Sequence, residues 1–334
     1  MPELSKGAMA RPLHQICESV HSMSLTTLPV LSLTMPKAEF AQAIGDSFKT
    51  FGFAMVKDFA IDRALIDRAW KLSEEFFALP EEEKRSYHNP AIAGARGYTP
   101  FGVEIAKDAK AHDLKEFWHI GRDLPEGSPL ADASMPPNVW PNRPDDFQAV
   151  FSELYRQFDA TGATILSAIA LYLGLNEHWF DPAIEDGNSV MRLLHYPPLN
   201  NVEGEAIRAG AHGDINLITL LLGAEEAGLE LLYQGKEWIS ASPPEGAMVI
   251  NVGDMLERLT NHTLSSTIHR VRNPNPERAA FSRYSMPFFL HLRSDFPIKT
   301  LPQCITPENP DRYPESITAD EFLQQRLKEI GLKK

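Results

Sequence analysis

The sequence predicts a β-rich core framed by helices. After about residue 188, short apolar runs alternate with turn-forming residues, which is typical of antiparallel sandwiches and barrels built from short strands. Before that point, apolar residues recur at helical spacing between glycines and prolines. The chain has 334 residues and is 43% hydrophobic, enough to bury a large core.

The first elements are a short strand and a helix. The apolar segment LPVLSL, residues 28–33, predicts the strand. Thr34 is expected to cap the helix, with Pro36 in its first turn. Gly52 is expected to end it. One face of this helix carries apolar residues at every fourth position: Phe40, Ile44 and Phe48.

The next elements continue this α/β alternation. FAMVKDF, residues 53–59, predicts a strand, and Asp62 is expected to cap the helix after it. Pro80 suits the first turn of another helix, because three glutamates follow it. A stretch rich in glycine and proline comes next, with one predicted strand at 116–120. A long helix is predicted after Pro144.

The second half of the chain predicts the β-rich core. Its apolar runs, in order, are VMRLLHY, LITLLL, LELLY, AMVINV, STIHRV and RYSMPFFLHL. Thr318 and Glu321 have the spacing of a capping box, so a final helix is expected to begin there.

Composition limits the classes of partner. The formal net charge is −13 and the pI is about 5.3, which disfavours binding to nucleic acids and to anionic membrane surfaces. Cys17 and Cys304 form no recognisable motif, so we expect a cytoplasmic location. Residues 1–25 are expected to form a tail without a secretory signal or a membrane span. The oligomeric state cannot be predicted.

A histidine and an aspartate at close spacing are the first candidate metal ligands. Of the 11 histidines, only His212 has an acidic residue two positions later, Asp214. On a strand, residues i and i+2 point to the same side of the sheet. The two side chains are therefore expected to converge at the start of the apolar strand that follows.

His269, in STIHRV, supplies a third ligand at the end of another predicted strand. Two histidines and one carboxylate form the facial triad of non-haem iron(II) oxygenases, which leaves open positions for oxygen and substrate. Neither cysteine is near these residues in the sequence, which argues against a structural zinc site.

Arg283 and Ser285 lie at alternate positions of a predicted strand, 14 residues after His269 (283 − 269). An arginine can bind a carboxylate through two parallel hydrogen bonds, and a serine hydroxyl can add a third. Beside an iron site, this pair predicts a holder for the distal carboxylate of a dicarboxylic co-substrate.

An ordered set of motifs resembles the isopenicillin N synthase-like family of 2-oxoglutarate- and iron(II)-dependent dioxygenases, from about Leu28 to Ser294. The earlier motifs are LPVLSL, FGFAMVKDF, FFALPEEEK, RGYTPFG and KEFWHIG. The later motifs are LLHYPPL, AHGDINLITLL, GLELL, VINVGDMLERLTN, STIHRV and RYSMPFF. Each is weak by itself, and the ordered set is specific.

The resemblance implies a distorted double-stranded β-helix, that is, a jelly roll. It implies that His212, Asp214 and His269 bind iron(II), and that Arg283, Ser285 and Tyr196 bind 2-oxoglutarate. It also implies oxidation of an unactivated C–H bond by O2, most often hydroxylation, with release of succinate and CO2. One departure is Gly213, where threonine is commoner in the family.

Organisation and pocket also follow from the resemblance. We expect a tail at 1–25, a helix-rich region at 26–180, the jelly roll at 181–300 and a C-terminal extension with a helix at 301–334, forming one catalytic unit. A small-molecule substrate is expected. Its pocket is expected to include Tyr98, Phe101, Phe117 and Phe288.

Three other functions stay open from the sequence alone. One is an iron oxidase that needs no 2-oxoglutarate, although the Arg283–Ser285 pair argues against it. Another is a small-molecule sensor that has lost catalysis, although no ligand is missing. The third is a zinc hydrolase, for which the sequence offers no H-E-x-x-H motif.

Overall fold

The computed structural model describes residues 27–92, 94–103, 113–131, 135–199, 208–223 and 228–329. The predicted tail at 1–25 lies outside these ranges. The strands are β1 Val30–Ser32, β2 Phe53–Lys57, β3 Gly97–Thr99, β4 Glu116–Gly121, β5 Val190–Tyr196, β6 Ala209–His212, β7 Ile218–Leu222, β8 Leu229–Tyr233, β9 Glu237–Ser240, β10 Ala247–Val252, β11 His269–Val271, β12 Arg283–Leu290, β13 Pro297–Ile298 and β14 Ile317–Thr318. The α-helices are α1 Lys37–Phe51, α2 Arg63–Phe77, α3 Glu81–Arg85, α4 Phe147–Tyr172, α5 Asp181–Ile184, α6 Asp254–Leu259, α7 Pro276–Ala279 and α8 Ala319–Glu329.

Two sheets form the β-rich core. The larger has eight strands in the order β1-β2-β10-β7-β12-β5-β4-β3, and the smaller has four in the order β6-β11-β8-β9. The β1–β2 pair is parallel, and the other neighbours in both sheets are antiparallel. Strands distant in sequence thus lie side by side, as in a sandwich that buries side chains between its two sheets.

Helices α1, α2 and α4 cover one face of the eight-stranded sheet, here called the outer face. Phe48, Phe76 and Phe151 from these helices are fully buried in one cluster with Trp118 of β4. The prediction of a mainly β core framed by helices is therefore confirmed.

The opposite face of the eight-stranded sheet, here called the inner face, looks toward the four-stranded sheet. Phe53 and Val249 of the large sheet form a second buried cluster with Leu231 and Ile239 of the small sheet. Because side chains alternate along a strand, pairing register fixes which residues of every strand share this inner face.

Local signals mark several element ends correctly. The Asp62 side chain accepts a hydrogen bond from the Ala64 amide at 2.8 Å, and Gly52 ends α1 in a left-handed conformation with φ 69°. The prediction for Thr34 is wrong: α1 begins at Lys37, and the preceding Pro36 has no side chain able to cap it. Strand β9 escaped prediction, because it has few apolar residues.

Candidate active site

The two sheets bring the three candidate metal ligands together. His212 is the last residue of β6 and pairs directly with His269, the first residue of β11. Asp214 Oδ1 lies 4.0 Å from His212 Nε2 and 3.8 Å from His269 Nε2, and the three candidate ligand atoms lie within 4.8 Å of one another. Separations of this size surround a space suited to a single metal ion.

The structure corrects the reasoning that predicted this cluster. Asp214 lies in the loop between β6 and β7, not on a strand, so strand alternation is not what brings it beside His212. The loop after β6 places the Asp214 carboxylate near both imidazoles. His269 begins its strand rather than ending it.

Hydrogen bonds to the far side of each ligand orient these groups. The Nδ1 atoms of His212 and His269 face the carbonyl oxygens of Gly210 and Thr267, at 2.7 and 3.1 Å. An Nδ1 atom that faces a carbonyl carries the proton, so the Nε2 lone pair of each ring is directed to the cluster.

The carboxylate of Asp214 is oriented in the same way. Its Oδ2 atom accepts hydrogen bonds from Thr219 Oγ1 at 2.6 Å and from Asn251 Nδ2 at 2.8 Å, which leaves Oδ1 toward the histidines. Asn251 lies within β10, where it pairs with Thr219 of β7. In the sequence, Asn251 and Thr219 each stand out as a polar residue within an otherwise apolar strand, which could have identified this pair.

The charge states of these groups suit a metal cation. Burial opposes ionisation of Asp214, but His269, His212 and the hydrogen bonds from Asn251 and Thr219 together hold its pKa below the usual value. The pKa of His212 falls to about 4. The surrounding protein atoms displace water from the ring, which disfavours its charged form, and His269 adds repulsion. At neutral pH the site therefore presents a carboxylate and a neutral His212 imidazole.

The predicted co-substrate residues also come together, on neighbouring strands of the large sheet. Arg283 of β12 pairs with Tyr196 of β5, and its Cζ lies 5.1 Å from the centre of the tyrosine ring. Arg283, Ser285 and Tyr196 are all buried. Sequence reasoning missed Arg208, a fully buried arginine whose Cζ lies 5.8 Å from the same ring.

These residues share the inner face with the three candidate metal ligands His212, Asp214 and His269, here called the metal cluster. Alternation along β12 places Phe289 on the same face as Arg283 and Ser285. Phe289 pairs with Thr219, whose hydroxyl contacts Asp214. One continuous surface therefore runs from the Arg283 region to the metal cluster.

Of the four predicted pocket residues, Phe117 lies on the inner face. It packs with Leu194 and Tyr196 in a small buried cluster. Phe101 lies in the turn after β3, with 42% of its surface exposed. No contact among the described residues joins Phe101 to the site, and its role stays a prediction.

The placement of Tyr98 and Phe288 in the pocket is wrong. The Tyr98 ring packs against Phe76 of α2, with ring centres 6.1 Å apart, on the outer face. Phe288 stacks on Phe158 of α4 at 5.4 Å and meets Tyr155 edge-on at 4.9 Å. Both side chains pack in the core beneath the helices. They therefore point to the side of the sheet opposite to the pocket.

The inner face holds a polar residue that sequence reasoning missed, Arg192 of β5. Its Cζ lies 4.3 Å from the centre of the Phe117 ring and 5.4 Å from that of Phe289. Its Nε donates to His119 Nε2 at 2.5 Å, and His119 Nδ1 faces the Gly94 carbonyl at 2.6 Å. Two aromatic rings and a histidine thus fix this guanidinium on the inner face.

His195 precedes Tyr196 on β5 and points to the opposite side of the sheet. Its Nδ1 lies 2.6 Å from Glu116 Oε1, and its Nε2 lies 2.9 Å from Ser282 Oγ. Lys84 also pairs with Glu116, at 2.7 Å. This buried network ties β4, β5 and the start of β12 together behind the co-substrate residues.

Comparison with known proteins identifies the family. One family model, the N-terminal region of non-haem dioxygenases in morphine synthesis, matches residues 28–143. A second, the 2OG-Fe(II) oxygenase superfamily, matches residues 187–292 and so includes every residue of the metal cluster. The chain belongs to the 2OG-Fe(II) oxygenase superfamily. The resemblance to its isopenicillin N synthase-like group is confirmed.

Individual oxygenases match over most of their length. The 2-oxoglutarate-Fe(II) type oxidoreductase hxnY of Emericella nidulans is 33% identical over 302 residues, which cover 88% of this chain and 85% of that protein. A crystal structure of a protein from Caulobacter crescentus, described within the 2OG-Fe(II) oxygenase family, has 56% identity and a TM-score of 0.85, covering 91% of this chain and 99% of that one. A full-length Neurospora crassa protein, crystallised in complex with α-ketoglutarate, has 30% identity and a TM-score of 0.81, covering 92% and 98%.

This oxygenase is therefore an iron(II)- and 2-oxoglutarate-dependent dioxygenase with a jelly-roll core. Its cofactors are iron(II), 2-oxoglutarate and O2. These findings favour it over the zinc hydrolase, the sensor and the 2-oxoglutarate-independent oxidase. No helix within the described part of the chain is long and apolar enough to span a membrane.

Proposed function

We propose that His212, Asp214 and His269 hold the iron(II) of this dioxygenase. The observation that carries this assignment is the convergence of two Nε2 atoms and one carboxylate oxygen, with the far side of each group held by a hydrogen bond. Two imidazoles and a carboxylate suit ferrous iron, and three ligands leave further positions open.

Arg283, Ser285 and Tyr196 are proposed to bind the distal carboxylate of 2-oxoglutarate. Their burial supports the proposal, because a charged hydrogen bond in a water-poor site is strong. The Arg283 guanidinium would supply two parallel donors and Ser285 a third. The network behind β5 and β12 would keep these donors in place when the co-substrate arrives.

The reaction proposed is hydroxylation of an unactivated C–H bond of a small organic molecule. Bound iron would supply the oxidising chemistry, using O2 and the conversion of 2-oxoglutarate to succinate and CO2. The protein would orient the substrate and keep water from the reacting atoms.

The primary substrate is proposed to lie against Phe117, Arg192 and Phe289. These three side chains share the inner face with Thr219, which contacts Asp214, so a molecule placed there is close to the metal. Aromatic rings with a fixed guanidinium suit a flat molecule with hydrogen-bond acceptors. The Neurospora crassa protein has also been crystallised with α-ketoglutarate and thymine, a molecule of this kind, in a structure 29% identical to this chain.

Two adjacent phenylalanines provide a matched test of this location. Phe289→Leu is expected to lower kcat/KM for the primary substrate about 10-fold, because it removes one wall beside Arg192. Phe288→Leu is expected to lower the free energy of unfolding by about 1–3 kcal/mol through lost packing on α4. Substrate-dependent succinate formation and thermal unfolding measure the two effects, with thymine first among the small heterocycles tried. If both changes lowered kcat/KM for the primary substrate equally, the placement of the substrate beside Phe289 would be contradicted.

Anaerobic titration of the iron(II)-loaded protein with 2-oxoglutarate tests the proposed site as a whole. Chelation of iron by the keto acid should produce a weak visible absorption band that saturates with co-substrate. The band should be missing after loss of any metal ligand. Iron binding without a band, in the unaltered protein, would count against the placement of 2-oxoglutarate.

The surroundings of the enzyme are also proposed from its composition. A net charge of −13 supports a small-molecule substrate rather than nucleic acid or a membrane surface. A cytoplasmic location, predicted from the two cysteines, suits chemistry that requires iron to stay ferrous.

A further inference from the structure

An ion pair links the C-terminal helix α8 to the start of α6, which contacts the loop that carries Asp214. The Nη2 atom of Arg326, in α8, lies 2.9 Å from Asp254 Oδ2. Asp254 is the first residue of α6. The side chains are 32% and 15% exposed, so the pair is partly shielded from water and worth more than a surface ion pair.

The start of α6 holds the backbone of the loop between β6 and β7, which contains Asp214. The Asp254 amide donates to the Asp214 carbonyl at 2.8 Å, and the Gly253 amide donates to the Leu217 carbonyl at 2.8 Å. The Met255 amide donates to the Ile215 carbonyl at 3.2 Å. Three successive amides thus fix the loop that contains Asp214, so a shift of Asp254 would move that carboxylate.

The residue between His212 and Asp214 explains why this ion pair matters here. Gly213 has no side chain, and a Cβ at that position would lie 3.4 Å from both Asp254 Oδ1 and Ser266 Oγ. No hydroxyl from position 213 is therefore present to hold the Asp254 carboxylate. Arg326 forms an ion pair with that carboxylate instead.

We propose that Arg326 is a positioning residue for the iron site: through Asp254, the C-terminal helix holds the loop that carries Asp214 in its ligating geometry. This inference rests on the proposed metal ligands. It adds that the C-terminal extension, which carries none of those ligands, contributes to iron affinity.

The helix has other attachments, so removal of Arg326 should not release it. The amides of Ala319 and Asp320 donate to the carbonyls of Phe296 and Ser294, each at 2.9 Å. Phe322 is buried. Earlier in the extension, Asn261 Nδ2 donates to the carbonyls of Asn309 and Pro310, both at 3.1 Å.

The first test is Arg326→Ala in the full chain. We expect iron(II) affinity to fall about 10-fold or more, the scale seen when groups that orient metal ligands are lost. The metal-free protein should stay folded, and the affinity for 2-oxoglutarate at saturating iron should stay unchanged. Arg326→Lys should recover part of the loss, because an ammonium group can still reach Asp254.

Glu329→Gln is the matched control. Glu329 is another partner of Arg326, with its Oε2 atom 2.5 Å from Arg326 Nη1. Loss of its charge leaves the contact of Arg326 with Asp254 in place. Iron affinity should therefore not change. A loss equal to that of Arg326→Ala would overturn the inference, since it would show that helix docking in general is responsible.

A second variant asks whether a local hydroxyl can replace the arginine. In Arg326→Ala with Gly213→Ser, the new hydroxyl would lie beside Asp254, and iron affinity should recover. An unchanged iron affinity in Arg326→Ala overturns the inference. So does a loss of iron affinity that is restored neither by adding Gly213→Ser nor by using Arg326→Lys in place of Arg326→Ala. Failure of the metal assignment is recognised separately, by Asp214→Ala that still binds iron tightly.

Discussion

Replacing Asp214 with alanine is expected to abolish iron(II) binding and turnover while the protein stays folded. The change removes the carboxylate among the three proposed ligands and leaves two imidazoles, which hold ferrous iron poorly. Outer partners of metal ligands are typically worth 10–100-fold in affinity, so loss of a ligand should cost more than about 100-fold. Iron titration, succinate release and circular dichroism measure the three consequences.

Two further changes calibrate that result. Asn251→Ala removes one hydrogen bond to Asp214 Oδ2 and should weaken iron binding by the smaller amount, about 10–100-fold. Asp67→Ala removes an exposed carboxylate on α2, 58% exposed, and should change nothing. If Asp214→Ala keeps normal iron affinity and activity, the metal assignment is wrong.

Replacing Arg283 with alanine should produce the second largest effect, a loss of 2-oxoglutarate affinity. A hydrogen bond to a charged group contributes about 1.5–3 kcal/mol, which corresponds to roughly a 10- to 150-fold rise in Kd. The iron ligands lie on other elements, so iron affinity measured without co-substrate should stay the same. Saturation of the visible band under anaerobic conditions reports the co-substrate affinity directly.

Arg283→Lys is the informative companion. It keeps the positive charge but loses the planar pair of donors, so it should recover only part of the affinity. Ser285→Ala should cost less than Arg283→Ala, because it removes one donor and leaves the positive charge of Arg283 in place. Unaltered co-substrate affinity in Arg283→Ala would exclude this arginine from the site.

The sequence by itself determined the chemistry of the site. His212 and Asp214 could be singled out because no other histidine has an acid at that spacing, and Arg283 with Ser285 because they share a strand face. Local signals such as the Asp62 cap were also reliable, since a cap depends on a few neighbouring residues only. Motifs in order along the chain then gave the family.

Some positions could have been predicted better with the same information. Alternation from Arg283 already places Phe288 on the opposite face and Phe289 on the same face. The expectation for Phe288 followed the family resemblance instead, and the stack on Phe158 shows the alternation was the better guide. Asn251 and Thr219 carried a similar signal, as polar residues within apolar strands.

Only the tertiary structure decided which distant residues meet. The pairing of β6 with β11 brings His269 to His212, and the pairing of β7 with β10 brings Asn251 to Asp214. The contact of Arg326 with Asp254 joins residues 72 positions apart (326 − 254). Such contacts depend on sheet register and helix docking, which the whole core fixes together, so no local pattern in the sequence encodes them.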